Sequence, residues 1–202
     1  MNISTGTISR NLTGWDRKYP NVQKDKDFVG SLSTAAEKVE KQQDGEIIGF
    51  GTIMDQNNSR GWIMQAKYAE GSTQENPVIY VETNYGGEKQ AYNIRINDID
   101  PRNASKLELF ALSSYADDQG IGSDSTFGTY NTLKSFYDMA VHNNYIETGE
   151  ESDNIWNQFK NEKLNWESAC KNVMELLYRC NDLLQYNRGA NIMQLFSKYP
   201  IS

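Results

Sequence analysis

The chain has 202 residues, a formal net charge of −7 and a sequence pI near 4.8, so its summed field repels phosphate groups and argues against direct nucleic-acid binding. Its mean hydropathy is −0.72, yet 12 Tyr, 7 Phe and 4 Trp supply the apolar area that a folded core needs. No apolar run reaches about 18 residues, and no basic segment followed by an apolar stretch opens the chain, so neither membrane insertion nor a cleaved signal peptide is predicted.

Residues 1–45 are predicted to form a flexible N-terminal arm that contains a short helix. Much of this segment is polar and lacks periodicity, which is typical of a loosely held terminus. Phe28, Leu32, Ala35 and Val39 nevertheless follow one another at helical intervals of four, three and four residues. This stripe either packs on its own domain or docks on another protein, and it is the candidate interaction surface.

Four strands are predicted in the central block, because four segments are rich in β-branched or aromatic residues and are bounded by turn-forming residues. These segments are residues 46–54, 61–69, 77–84 and 88–96. Their short connections favour antiparallel pairing of consecutive strands, which gives a four-stranded meander. Alternation in the second strand predicts one buried face and one wetter face. The buried face carries Trp62, Met64, Ala66 and Tyr68.

The second half of the chain has apolar residues at helical spacing. Asp100 and Pro101 predict an N-cap and first position of a helix that ends near Gly120. Further helices are predicted from about residue 129, around residues 155–159, and over residues 165–187 up to a break at residues 188–189. Strands followed by helices indicate an α+β fold, a four-stranded antiparallel meander with a helical C-terminal half packed on it. Residues 46–202 are expected to form one such domain.

Cys170 and Cys180 are the two cysteines of the chain, and both fall in the last long predicted helix. Ten residues of helix separate them by about 15 Å, which is too far for a disulfide bond. Two free thiols indicate a reducing compartment. The expected location is therefore the cytoplasm, or outside the cell after export without a cleaved signal peptide.

No catalytic residue, metal ligand or cofactor motif can be assigned. His142 is the one histidine, and its position at a helix end is explained by a favourable interaction with the helix dipole. A zinc site rich in histidine is excluded by that count. The serines lack a nucleophile elbow, and paired carboxylates are easy to find by chance among 27 acidic residues.

The glycine-rich segment 117–128 is the sharpest local feature, since it links two predicted helices. It is not an EF-hand, because a register that starts at Asp118 puts Gly120 and Gly122 at two ligand positions. It is not a phosphate-binding P-loop, because no Lys-Ser or Lys-Thr pair follows the glycines. Two interpretations stay open, a hinged helix connection and an irregular ligand or cation site. The candidate ligand residues are Tyr115, Asp117, Asp118 and Asp124.

Three sequence segments carry a family resemblance. They are NIRINDIDPRNAS at residues 93–105, ELFALSSYAD at residues 108–117 and TFGTYNTL at residues 126–133. Over roughly residues 46–143 the chain resembles a group of uncharacterised proteins from anaerobic gut Firmicutes. The resemblance implies a bacterial source, and it transfers no functional residue because that group has no assigned activity.

Three functional hypotheses follow from these observations. The favoured one is a non-enzymatic bacterial protein that binds another protein or is associated with export, with the N-terminal arm and its helical stripe as the contact. The first alternative is a small-ligand-binding protein or enzyme that uses the segment 117–128. The second is an acidic inhibitor of a nucleic-acid-binding protein, which would require clustered acidic side chains.

Overall fold

A computed structural model describes residues 36–39, 45–54, 61–85, 88–123, 128–146 and 155–200. Its sheet has five strands in the order β1-β5-β4-β3-β2, and every neighbouring pair is antiparallel. The strands are β1 (Ala36–Val39), β2 (Gly49–Met54), β3 (Gly61–Tyr68), β4 (Val78–Tyr85) and β5 (Glu88–Arg95). The helices are α1 (Lys106–Asp118), α2 (Gly128–His142), α3 (Ile155–Asn161), α4 (Trp166–Arg179) and α5 (Leu183–Phe196).

The predicted α+β class and the meander are confirmed. Strands β2 to β5 follow one another across the sheet and lie within a few residues of the four predicted segments. In β3 the alternation is confirmed for Trp62, Met64 and Ala66, which are buried, while Ile63 is 48 % exposed. It is wrong for Tyr68, which is 36 % exposed at the end of the strand, where the last turn of α1 covers it in part. One face of the sheet therefore packs against the helices, as the strand pattern indicated.

The predicted helix in the N-terminal arm is wrong at its C-terminal end. Val39 lies in β1 and pairs with Ala91 of β5, and Ala36 pairs with Ile94. A stripe of four apolar residues is too short for its spacing to distinguish a helix from a strand. The edge of β5 carries backbone N–H and C=O groups that need partners, and pairing with β1 satisfies them. The other members of the stripe, Phe28, Leu32 and Ala35, lie outside the described residues.

Helix α1 is the centre of the core. Its side chains are buried on nearly every face because β2, α2 and α3 all contact it. The sheet approaches it closely at two glycines of β2. A Cβ atom on Gly49 would lie 2.0 Å from Ser114 Oγ, and one on Gly51 would lie 2.9 Å from the ring of Phe110. These glycines therefore mark close packing of strand on helix, as expected for glycine inside a strand.

The start of α1 differs from the prediction. The helix begins at Lys106, because Ser105 and Glu108 form a reciprocal capping box, in which the Glu108 carboxylate accepts from the Ser105 N–H at 2.7 Å. Asp100 instead accepts from the Arg102 backbone N–H in a preceding turn. A capping box satisfies two backbone N–H donors at once, here those of Ser105 and Glu108, which makes it the better helix start.

The predicted helix over residues 165–187 is two helices in the structure. Asn181 has a φ of 59°, which ends α4, and the side chain of Asp182 then caps α5. Gly189 was predicted to break the helix but lies inside α5. A Cβ atom at this position would lie 2.6 Å from Met174 Cγ on α4. The glycine thus permits the close approach of α4 and α5. No helix within the described residues is long and apolar enough to cross a membrane.

The two cysteines are free, as predicted, and they differ in environment. Cys170 is buried, and burial raises the pKa of its thiol to about 12, whereas Cys180 is exposed. Because the thiolate is the reactive form, we expect a maleimide at about pH 8 to modify Cys180 alone in the native protein. Mass spectrometry should show a single adduct, and two adducts after denaturation. Rapid native modification of a Cys180→Ser variant would contradict the burial of Cys170.

Candidate functional site

A polar pocket of about 290 Å³ lies where the end of β3, the β3–β4 loop and the C-terminal end of α1 meet. Its walls are formed by Tyr68, Ser72, Thr73, Gln74, Tyr115 and Gln119. All six side chains carry hydroxyl or amide groups, and none carries a formal charge at neutral pH. The volume lies just below the roughly 300–1,000 Å³ typical of small-ligand sites.

One wall of the polar pocket is a loop that its own side chains hold in place. Ser72 Oγ accepts from the backbone N–H of Val78 at 2.9 Å, and Thr73 Oγ1 accepts from that of Asn76 at 3.0 Å. Gly71 supplies the positive φ, 81°, with which the loop leaves β3. These contacts preform the wall, since side-chain hydrogen bonds of this kind stabilise a turn locally.

The opposite wall is built by a closed set of hydrogen bonds between β3 and α1. The Tyr68 hydroxyl donates to Asp118 Oδ2 at 2.6 Å, and Gln119 Nε2 donates to that hydroxyl at 3.0 Å and to the same carboxylate at 3.1 Å. The ring of Tyr115 meets the ring of Tyr68 edge-on, with centroids 6.4 Å apart. The two aromatic rings are therefore held in a defined relation to each other.

The chemistry of Tyr68 follows from these contacts. Burial raises the pKa of its phenol to about 12, and the hydrogen bond and negative charge of Asp118 add to that rise. The phenol therefore remains protonated and acts as a donor at neutral pH. Such a group does not act as a general base, which would need a pKa near the working pH.

Asp117 lies apart from the polar pocket and ties α1 to α2. Its Oδ2 accepts from the Thr129 backbone N–H at 2.9 Å, and its Oδ1 accepts from the Thr129 hydroxyl at 2.5 Å. A Cβ atom on Gly122 would lie 2.0 Å from Asp117 Oδ1, so this glycine makes room for the carboxylate. The aspartate thus caps the first turn of α2, where negative charge is stabilising.

The structure separates the candidate ligand residues of the segment 117–128. Tyr115 lines the polar pocket and Asp118 supports it, whereas Asp117 serves the start of α2 and Asp124 lies outside the described residues. His142 is exposed at the end of α2. Among the residues that the structure describes, no three His, Cys, Asp or Glu side chains come together as metal ligands would.

Several pocket residues were missed in the sequence. Tyr68 ends the core-facing stripe of β3, and nothing in the pattern indicated that its hydroxyl would reach an acid 50 residues away. Ser72, Thr73 and Gln74 looked like ordinary turn residues. At the end of α1, Tyr115 was predicted as a candidate ligand residue, whereas Gln119 was not.

A second candidate site is the apolar tip, which consists of Tyr178, Leu183 and Leu184 at the turn between α4 and α5. These side chains are 65 %, 50 % and 60 % exposed. The ring of Tyr178 packs against that of Tyr186 with centroids 5.8 Å apart. Because a capped turn and two packed helices hold it, the apolar tip is a preformed surface.

The charged side chains beside the apolar tip already have partners within the protein. Arg179 forms an ion pair with Glu175 one turn earlier on α4, and Asp182 accepts from the backbone N–H of Gln185 at the start of α5. Exposed apolar side chains also occur on the outer face of the sheet, where Phe50 is 58 % and Ile63 is 48 % exposed. That pair lies on neighbouring strands and provides a matched comparison for the apolar tip.

The chain matches no family model, no curated protein and no solved structure, so its function has to be inferred from its own residues.

Proposed function

We propose that the chain is a non-enzymatic protein that binds a partner protein through the apolar tip. The observation that carries this proposal is the exposure of Tyr178, Leu183 and Leu184, each at least half exposed, within residues 178–184. Clustered exposed apolar side chains cost solubility and commonly mark interaction surfaces. In a chain whose mean hydropathy is −0.72, such a cluster is not a by-product of an apolar composition.

The composition of the apolar tip suits a protein contact. Tyrosine is enriched among the residues that dominate binding energy, and its rigid ring loses little conformational entropy on binding. The surrounding turn is held by Asn181 in the left-handed region and by the Asp182 cap. A preformed surface reduces the ordering cost of association.

The partner that this surface fits presents apolar side chains within a positively charged surface. The formal net charge of −7 attracts a basic protein over long distances and accelerates encounter. Close to the tip, Arg179 is already paired with Glu175, so apolar side chains rather than new ion pairs would form the contact. Affinity then depends on the two leucines and the tyrosine, and association rate depends on salt.

The test uses the exposed thiol inside this surface. A photoreactive benzophenone is attached through maleimide to Cys180, while Cys170 is protected by burial. After irradiation in a lysate of the organism that makes the protein, mass spectrometry identifies the crosslinked partner. The purified partner is then titrated against unlabelled protein. We expect Leu183→Ser/Leu184→Ser to weaken that affinity at least tenfold and added salt to slow association.

Phe50→Ser/Ile63→Ser is the matched control, because it removes two equally exposed apolar side chains from the outer face of the sheet. This variant should bind the partner as the parent does. An affinity unchanged by the leucine substitutions, or a partner that is acidic, would contradict the proposal. The roles proposed for the N-terminal arm and for export stay predictions, since most of that arm lies outside the described residues.

A further inference from the structure

We infer that the polar pocket binds a neutral, hydroxylated ligand of about the size of one sugar ring. This inference concerns a different surface from the apolar tip and does not depend on the proposed protein interaction. It follows from the groups that line the pocket, their remaining hydrogen-bonding capacity, the local charge and the volume.

The aromatic side chains supply the apolar part of such a site. Tyr68 and Tyr115 both line the pocket, with their rings at 85° to each other. Sugar rings present C–H groups on their faces, and these groups pack favourably against aromatic rings. The hydrogen bond from Tyr68 to Asp118 fixes one ring, so the apolar wall is rigid before any ligand arrives.

The remaining side chains can both donate and accept hydrogen bonds. Ser72 and Thr73 each accept one backbone N–H and keep their hydroxyl protons for another partner. Gln119 uses its amide nitrogen on Tyr68 and leaves its carbonyl oxygen as an acceptor. Gln74 contributes a whole amide. A ligand that carries several hydroxyl groups satisfies such a mixed set, since each hydroxyl also donates and accepts.

The electrostatics disfavour anionic ligands, and the cost of removing a charge from water disfavours charged ligands of either sign. Among the residues that the structure describes, no lysine, arginine or histidine lines the pocket, and the formal net charge of −7 repels anions. Asp118 stands behind the lining, and its Oδ2 already accepts from Tyr68 and Gln119, so it is committed to the wall. A neutral ligand loses the least solvation on entering a site of this kind.

The volume sets the size of the ligand. About 290 Å³ lies just below the range for drug-sized ligands and suits a single six-membered ring with its substituents. The pocket is not enclosed, which leaves room for a longer chain to continue into solvent. The pocket is thus suited to a terminal sugar unit or a free polyol.

The test is a titration of the full-length, isotopically labelled protein followed by NMR. The probes are methyl β-D-glucopyranoside, methyl β-D-galactopyranoside and myo-inositol, with sodium phosphate and tetramethylammonium chloride as charged comparisons. We expect at least one neutral probe to cause saturable shifts of the Gln74 and Gln119 side-chain amides and of the backbone of Ser72 and Thr73. The charged probes should leave these signals unchanged.

Substitutions in the pocket test whether the chemical-shift changes come from binding at this pocket. Gln119→Ala and Gln74→Ala alter exposed side chains outside the core, so both should fold, and each should weaken binding of the neutral probe at least fivefold. Gln194→Ala removes an exposed amide from α5 and should bind as the parent does. The inference is overturned if no neutral probe gives saturable shifts, if a charged probe binds in its place, or if both pocket variants retain full affinity.

Discussion

Replacing Trp166 by alanine is expected to lower the free energy of unfolding by about 3–5 kcal/mol, the range for removal of a large buried aromatic side chain. Trp166 is 4 % exposed at the first turn of α4. Its ring lies 5.6 Å from that of Tyr137, between centroids, and its Nε1 donates to the carbonyl oxygen of Ala104 at 2.8 Å. The alanine therefore leaves a cavity between α2 and α4 and removes a buried hydrogen bond.

Urea denaturation measures this effect, and Trp166→Phe is its matched control. Phenylalanine keeps much of the ring but cannot donate to Ala104, whose oxygen still accepts from the Leu164 N–H at 3.0 Å. The control should therefore cost about 1 kcal/mol for the lost hydrogen bond plus a small packing loss. A Trp166→Ala midpoint equal to that of the parent would show that α4 contributes little to the core.

Replacing Glu108 by alanine is expected to destabilise the fold by about 3–5 kcal/mol, as removal of one partner of a buried ion pair does. The Glu108 side chain is 3 % exposed, and it forms an ion pair with Lys163, which is 24 % exposed. The same carboxylate accepts from the Ser105 N–H at 2.7 Å. The alanine variant thus loses one of the two hydrogen bonds of the capping box and leaves the partly buried Lys163 ammonium group without this ion-pair partner.

A double-mutant cycle with Lys163→Ala measures the coupling between the two side chains. Glu108→Gln should cost less than Glu108→Ala, because the amide oxygen can still accept from Ser105 while the charge is lost. Glu167→Ala provides the surface comparison, since its ion pair with Lys171 is exposed and such pairs contribute at most about 1 kcal/mol. Equal effects of the buried and surface substitutions would contradict a structural role for the Glu108–Lys163 pair.

The two candidate sites were predicted to different extents. The end of α1 was identified as a candidate because Tyr115 and Asp118 stand beside a glycine-rich segment, and the structure places both at the polar pocket. The apolar tip was not identified. Its residues fall within the single helix predicted over residues 165–187, and helical spacing cannot show that a left-handed residue, Asn181, turns the chain and exposes the leucines.

The charge distribution bears on the remaining hypothesis. An acidic inhibitor of a nucleic-acid-binding protein requires carboxylates that act together as phosphate mimics. Several carboxylates of this chain are paired with cations instead, as Asp138 is with Lys134 and Glu82 is with Lys89. These pairs favour the interaction proposed for the apolar tip over an acidic mimic. The Leu183→Ser/Leu184→Ser variant tests the distinction, because binding through phosphate-mimicking carboxylates would not depend on these leucines.

The α+β class, the four consecutive strands and the approximate positions of the helices in the second half of the chain could be predicted from the residues alone, because alternation and helical spacing are local signals of burial. The residues alone also predicted that the cysteines are unpaired. The capping box of α1 is a local signal too, since Ser105 is followed by Glu108 three residues later. That Ala36–Val39 joins the sheet and that residues 165–187 contain a turn became visible in the folded chain. Each of these outcomes depends on partners distant in the chain or on a few backbone groups, and local hydrophobic patterns carry no record of either.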